Sequence, residues 1–190
     1  HQFLVDYKNK GKKFVEDTFP PLENWKRIDE FYQAPLFQKD LIDPSFIIQG
    51  RIGDCYLISS LGRIAKQHYL VTQLFERFLP NSILGEVENS INIKCGAIAV
   101  YFCAFGRKTP VINDTFITFI DDKCLLIQPI DKAKSQWFFL VEKAYAKLNK
   151  SFRNIDGGNM SQSLYSLFSF YSCYYEYSLF SKKKRHFKKY

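Results

Sequence analysis

Methionine occurs once, tryptophan twice and histidine three times, at positions 1, 68 and 186, in these 190 residues. With so few histidines, any chemistry needing an imidazole base has three candidates only. The five cysteines, at 55, 95, 103, 124 and 173, are odd in number and include no Cys-x-x-Cys pair. Their pattern argues against a disulfide framework or a zinc knuckle and for a reducing compartment, so a cytoplasmic location is expected. No secretory signal and no internal repeat are visible. The chain opens on His1 rather than Met, as a piece trimmed from a longer product would. The aromatic, serine-rich stretch 164–180 contains Glu176 and, at 17 residues, falls short of a membrane crossing, which takes about 20 apolar residues; no transmembrane span is expected.

What is present is ordinary for a globular chain: 46% apolar and 24% charged residues, with length enough to bury one proper core. The net charge of +8 points to nucleic acid only until it is located. Lys182, Lys183, Lys184, Arg185, Lys188 and Lys189 supply six of those charges, leaving about +2 for everything before residue 181. A basic tail is not a basic fold, and no nucleic-acid partner is expected.

The chain is organised around Gln49-Gly-Arg-Ile-Gly-Asp-Cys-Tyr-Leu-Ile-Ser-Ser-Leu61. Gly50 and Gly53 permit backbone conformations that a side chain would forbid. Asp54 has the character of a helix N-cap, and Leu57, Ile58, Leu61, Ile64 and Ala65 repeat at helical spacing behind it. Cys55 then falls on the first turn, where free N–H groups and the helix dipole favour a thiolate, against a small opposing effect from Asp54. Spacing alone leaves two readings open, a nucleophile and a small buried hydrophobe.

Around this centre, residues 14–22 with Pro20 and Pro21 read as extended chain, followed by Trp25 and Arg27. A short helix is expected within 28–37, a second helix over 71–79, and a strand over 97–105 with a turn at Gly106. Short antiparallel strands are expected at 111–112, 116–120 and 124–127, with a tip at 121–123. Trp137, Leu140, Val141, Ala144 and Leu148 form a helical stripe behind Ser135 as N-cap, and Asn159 caps a last helix carrying Leu164, Leu167 and Phe168.

The segment Gln-Gly-x-x-Gly-Asp-Cys-Tyr-Leu-Ile resembles the active-site segment of the calpain family of papain-like cysteine proteases. Phe19-Pro-Pro, Trp25-x-Arg and Trp137-x-x-x-Val-Glu-Lys-Ala-Tyr-Ala-Lys-Leu-Asn149 resemble the same family, in the same order. The resemblance implies an α+β fold: a papain-like N-terminal subdomain, mainly helices around a central Cys-bearing helix with a small antiparallel sheet. It implies a calpain-type catalytic subdomain at 14–168, while composition marks a flexible, lysine-rich arm at 1–13 and an aromatic then basic, poorly ordered tail at 169–190. Cys55 would be the nucleophile and Gln49 a donor to the oxyanion, with Gly53, Gly157 and Gly158 beside the substrate cleft. The glycine pair that the family carries after the last helix is replaced by Ser169 and Phe170.

The function implied is a cysteine-type endopeptidase acting on polypeptides, present as its nucleophile-bearing half. Such an enzyme needs a histidine base and an asparagine to orient it. His68 is thirteen residues past Cys55 and too far along for this role, while His186 stands in a lysine-rich tail with no asparagine after 159. A second subdomain or subunit would therefore supply both, and this chain alone is expected to be inactive. The family's calcium ligands fall on Phe46 and Ser135; a phenylalanine offers no side-chain oxygen, so no metal or other cofactor is expected. The alternative is a catalytically inactive calpain-like module acting in protein binding or regulation.

Overall fold

The computed structural model describes residues 13–17, 25–31, 47–75, 96–104, 106–120, 123–129 and 137–169. Its elements, in chain order, are β1 (Trp25–Arg27), α1 (Ile28–Phe31), β2 (Ile47–Ile48), α2 (Cys55–Ala65), α3 (His68–Gln73), β3 (Ala97–Ala104), β4 (Arg107–Asp114), β5 (Phe116–Ile120), β6 (Lys123–Cys124), β7 (Gln128–Pro129), α4 (Trp137–Leu148), a 3-10 turn (Arg153–Ile155) and α5 (Met160–Phe168). The arrangement is mixed helix and antiparallel strand, as expected. Among the described residues the strands form three small antiparallel ladders, β1-β5-β6, β2-β7 and β3-β4.

Among the described residues the most enclosed helix is α4, not the Cys55 helix. Every residue from Trp137 to Ala146 is buried, because Phe138, Phe139 and Tyr145 fill the positions beside the expected stripe. A helix apolar on nearly all sides has no solvent face to offer. Its charged pair, Glu142 and Lys143, is therefore carried into the interior, where each must find partners. Lys143 Nζ pairs with Asp114 and, at 2.9 Å, with Glu16, and it also donates to the Phe116 carbonyl at 3.1 Å. Through this lysine the 13–17 segment, the end of β4 and α4 are tied together.

β3 pairs with β4 in register from Ala97↔Asp114 to Ala104↔Arg107. Every residue from Ala97 to Phe102 is buried. Both α4 and α5 pack against this strand, so it has no open face over that length.

Against α5 lies α2, with Leu57, Leu61, Ile64 and Ala65 in the core and Ser60 bonded to Ser163 at 2.6 Å between the two helices. Asn159 caps α5 as expected, its Oδ1 accepting from Ser161 N at 2.7 Å. Asn159→Ala should lower stability by about 1 kcal/mol in urea denaturation, the usual worth of such a cap.

The second helix starts earlier than expected, at His68, and positions 76–79 of its expected span lie outside the described residues, while the 124–127 strand survives only at Lys123–Cys124. The Ser135 cap, Pro20 and Pro21, the 121–122 tip and nearly all of the arm (1–13) and tail (169–190) lie outside the described residues.

Candidate active site

The site begins with a strap. β2 pairs with β7 through Ile47↔Pro129 and Ile48↔Gln128, which lays residues 49–53 along the segment after β6. Arg51 N donates to the Leu125 carbonyl at 3.0 Å. Gly50 passes so close to the Leu125 and Leu126 carbonyl oxygens that a Cβ there would overlap both. Neither Gly50 nor Gly53 has a positive φ, which among the described glycines occurs at Gly96, Gly106 and Gly157. Both need room, not unusual dihedrals.

Gly53 is held at both ends of its own residue. Its N–H donates to Asp156 Oδ1 at 2.8 Å, and its carbonyl accepts from Gly157 N at 2.9 Å. Gly157 is exposed at φ +85° with open space where a side chain would stand. Gly158 serves a different purpose: a Cβ there would stand 2.5 Å from Cζ of Tyr56. The Tyr56 ring lies against that bare Cα, its hydroxyl donating to the Ile155 carbonyl at 3.2 Å and its edge meeting Tyr145. Burial pushes the Tyr56 phenol above its usual range, with Tyr145 adding to the effect.

Cys55 is the first residue of α2 and is exposed. Gln49 is exposed in the strap, and its Nε2 donates to the Ile52 carbonyl at 2.6 Å. A side-chain amide has two N–H bonds, so this contact folds the amide back over the loop while leaving one donor for another acceptor. The remaining described cysteines differ. Cys103 is half-buried, and Cys124 is buried with its thiol pushed up to about 12 by desolvation.

Asp54 corrects the sequence reading. It occupies the N-cap position, but its side chain caps nothing; its carbonyl accepts from Leu57 N at 2.8 Å and from Ile58 N at 3.1 Å. The carboxyl group is wholly buried and turned to Glu142, which is also wholly buried. Glu142 Oε2 accepts from Ile127 N at 2.5 Å, while Glu142 Oε1 and both Asp54 oxygens have no conventional donor. Burial raises Asp54 to about 6, and burial together with the Asp54 charge raises Glu142 well above the usual carboxylate range. Glu142 is the residue that sequence reasoning passed over. Its signal was available in the aromatic residues flanking it, which leave α4 no wet face.

His68 opens α3 and not a continuation of α2, which stops at Ala65. It follows the far end of an 11-residue helix that begins with Cys55, about 16 Å of helical rise away. His1 and His186 lie outside the described residues, as do Phe46 and Ser135. Among the described residues no three His, Cys, Asp or Glu side chains come together as a metal site. Among the described residues no helix is long and apolar enough to cross a membrane.

Comparison with known proteins decides the family. The profile of the calpain family cysteine proteases matches residues 5–189. This chain belongs to the calpain family. It is 26% identical over 179 residues to the calpain-1 catalytic subunit of Homo sapiens, covering 85% of this chain and 24% of that protein. Calpain-5 of Caenorhabditis elegans is 26% identical over 169 residues, covering 82% of this chain and 25% of the relative. A calpain-type cysteine protease of Arabidopsis thaliana is 28% identical over 171 residues, covering 84% of this chain and 7% of the relative. The chain thus spans about a quarter of the length of the first two relatives and far less of the third.

Proposed function

We propose that this calpain-family chain carries the nucleophile-bearing, papain-like half of a cysteine endopeptidase, with Cys55 as nucleophile and Gln49 in the oxyanion hole. The observation that carries the reading is an exposed thiol opening α2, led into by a loop over which the Gln49 amide is folded back onto the Ile52 carbonyl. In the reaction the Cys55 thiolate adds to the scissile carbonyl carbon, and the carbonyl electron pair moves to oxygen. The free Gln49 N–H and the unpaired Cys55 backbone N–H receive that charge, an arrangement worth about 3–4 kcal/mol per donor in such sites. Collapse expels the amine, protonated by the imidazolium, and water then hydrolyses the thioester.

Gly53, Gly157 and Gly158 line the approach to Cys55. The two bonds between Gly53 and Asp156–Gly157 fix the backbone of that edge. The histidine and asparagine come from a second subdomain or subunit. The substrate is polypeptide, no ion takes part, and the compartment is the reducing cytoplasm, which the three free cysteines among the described residues support. A second reading, a calpain-like module that binds or regulates without catalysis, is favoured by the position of His68 beyond the far end of α2.

Competitive alkylation separates the two. Under limiting iodoacetamide at neutral pH, Cys55 should react at least about tenfold faster than Cys95, Cys103, Cys124 and Cys173, as activated thiolates do. Equal rates at Cys55 and the other accessible thiols would favour the passive module.

A further inference from the structure

Two acids buried against each other directly behind the nucleophile call for an explanation that the thiol chemistry does not supply. Asp54 and Glu142 are each 0% exposed, yet three of their four oxygens lack a conventional donor. Two carboxylates in this position would repel at short range in a dry interior. One carboxylic O–H donating to the other carboxylate removes the conflict and supplies the missing bond. Glu142 Oε2 is already taken by Ile127 N, so Oε1 is the oxygen left for Asp54.

We propose that Asp54 and Glu142 share one proton in the folded chain, and that this proton is the latch seating the start of the Cys55 helix on α4. Asp54 is the last residue before Cys55, and its carbonyl receives the first two bonds of α2. Separating the two carboxyls therefore moves the backbone that aims the thiol. Asp54 and Glu142 are positioning residues, acting on substrate only through Cys55. The inference goes beyond the nucleophile reading, since the latch would exist even if Cys55 were inert.

The surroundings favour retention of the proton. From the loop 153–158, Asp156 adds a negative charge that disfavours ionised Asp54. From β6, the Cys124 thiol senses the Glu142 charge; from α2 and α4, Tyr56 and Tyr145 contribute neutral phenols. Lys143, the next residue on α4, is engaged by Asp114 and Glu16. The other ionisable group beside Asp54 is the exposed Cys55. The sign follows from linkage. Both acids hold protons more tightly folded than unfolded, so their contribution is fully present below about pH 4 and is lost as pH rises through the folded values, Asp54 near 6 and Glu142 higher.

The test is made on the whole chain. Infrared spectra at pH 7 should show one protonated carboxyl, absent in Glu142→Gln, whose amide donates to Asp54 at every pH. Between pH 5 and 8 the wild-type folding constant should fall, by up to about tenfold per pH unit for one proton, while E142Q loses that component. Hydrogen exchange of the amides at 54–58, corrected for the intrinsic rate, should quicken over the same range in wild type only. If E142Q does not fold, Asp54→Asn reverses donor and acceptor and serves the same purpose. No protonated carboxyl at pH 7 in the wild type, or the same pH slope in wild type and variant, would overturn the latch. Slow alkylation of Cys55 with an intact acid band would instead sink the protease reading alone.

Discussion

Lys143→Ala should lower the stability of the chain by about 3–5 kcal/mol in urea denaturation, the effect of removing one partner from a buried ion pair. The lysine side chain is 1% exposed and faces Asp114, 0%, and Glu16, 1%. Its ammonium also lies 4.7 Å from the centre of the Trp25 ring. Glu16 would retain Lys147 at 2.6 Å, and Asp114 would keep only the backbone donors Glu16 N and Phe116 N, each at 3.0 Å. Asp114 is thus left with a buried charge and no cation in contact, the Arg27 guanidinium acting on it only from longer range while bonded to Thr115. Against a total of about 5–15 kcal/mol for a typical domain, the loss is enough to populate unfolded chain. Lys147→Ala provides the comparison: it is 22% exposed, and Glu16 would keep Lys143, so about 1–2 kcal/mol is expected. Equal effects for the two lysines would show that Lys143 is not the keystone.

Gly50→Ala should act on the site more than on the core. An added methyl meets two backbone carbonyl oxygens, at Leu125 and Leu126, and neither can rotate away as a side chain would. The strap must lift, carrying Gln49 and its bond to the Ile52 carbonyl with it. Overpacking of this kind typically costs about 1–3 kcal/mol of stability. A displacement of about 1 Å in an oxyanion donor costs on the order of 100-fold in rate. Modification of Cys55 by a peptide electrophile that develops an oxyanion should fall by about that factor. Simple iodoacetamide alkylation, which needs no oxyanion donor, should change little. Equal losses with both reagents would mean that the thiol, not the donor, had been displaced.

The elements with strong local signals were legible in the sequence. The α2 stripe from Leu57 to Ala65, the Asn159 cap, the β3 strand and the turn at Gly106 follow from spacing and turn chemistry, and each appears close to its expected place. What spacing hid was tertiary. Glu142 and Lys143 occupy positions that an amphipathic helix gives to solvent, and only the packing of β3, β4 and the 3-10 turn against α4 reveals that none is left there. Asp54 has the right residue type and place for a cap, but a competing partner 88 positions later takes its side chain. Gly50 and Gly53 were recognisable as necessary, whereas the reason, contact with carbonyls at 125–126 and with Asp156, rests on long-range approach. For the site itself, Cys55 and Gln49 stand out by motif, and the two-sided grip on Gly53 by Asp156 and Gly157 does not.

The most direct measurement is a crystal structure of the chain bound to a peptide aldehyde, whose carbonyl carbon takes the Cys55 sulfur to form a hemithioacetal. The hemithioacetal oxygen should lie about 2.7–3.1 Å from both Gln49 Nε2 and Cys55 N, with the peptide running along Gly53 and Gly157. An aldehyde that leaves Cys55 unmodified, or an adduct whose oxygen faces away from Gln49, would contradict it.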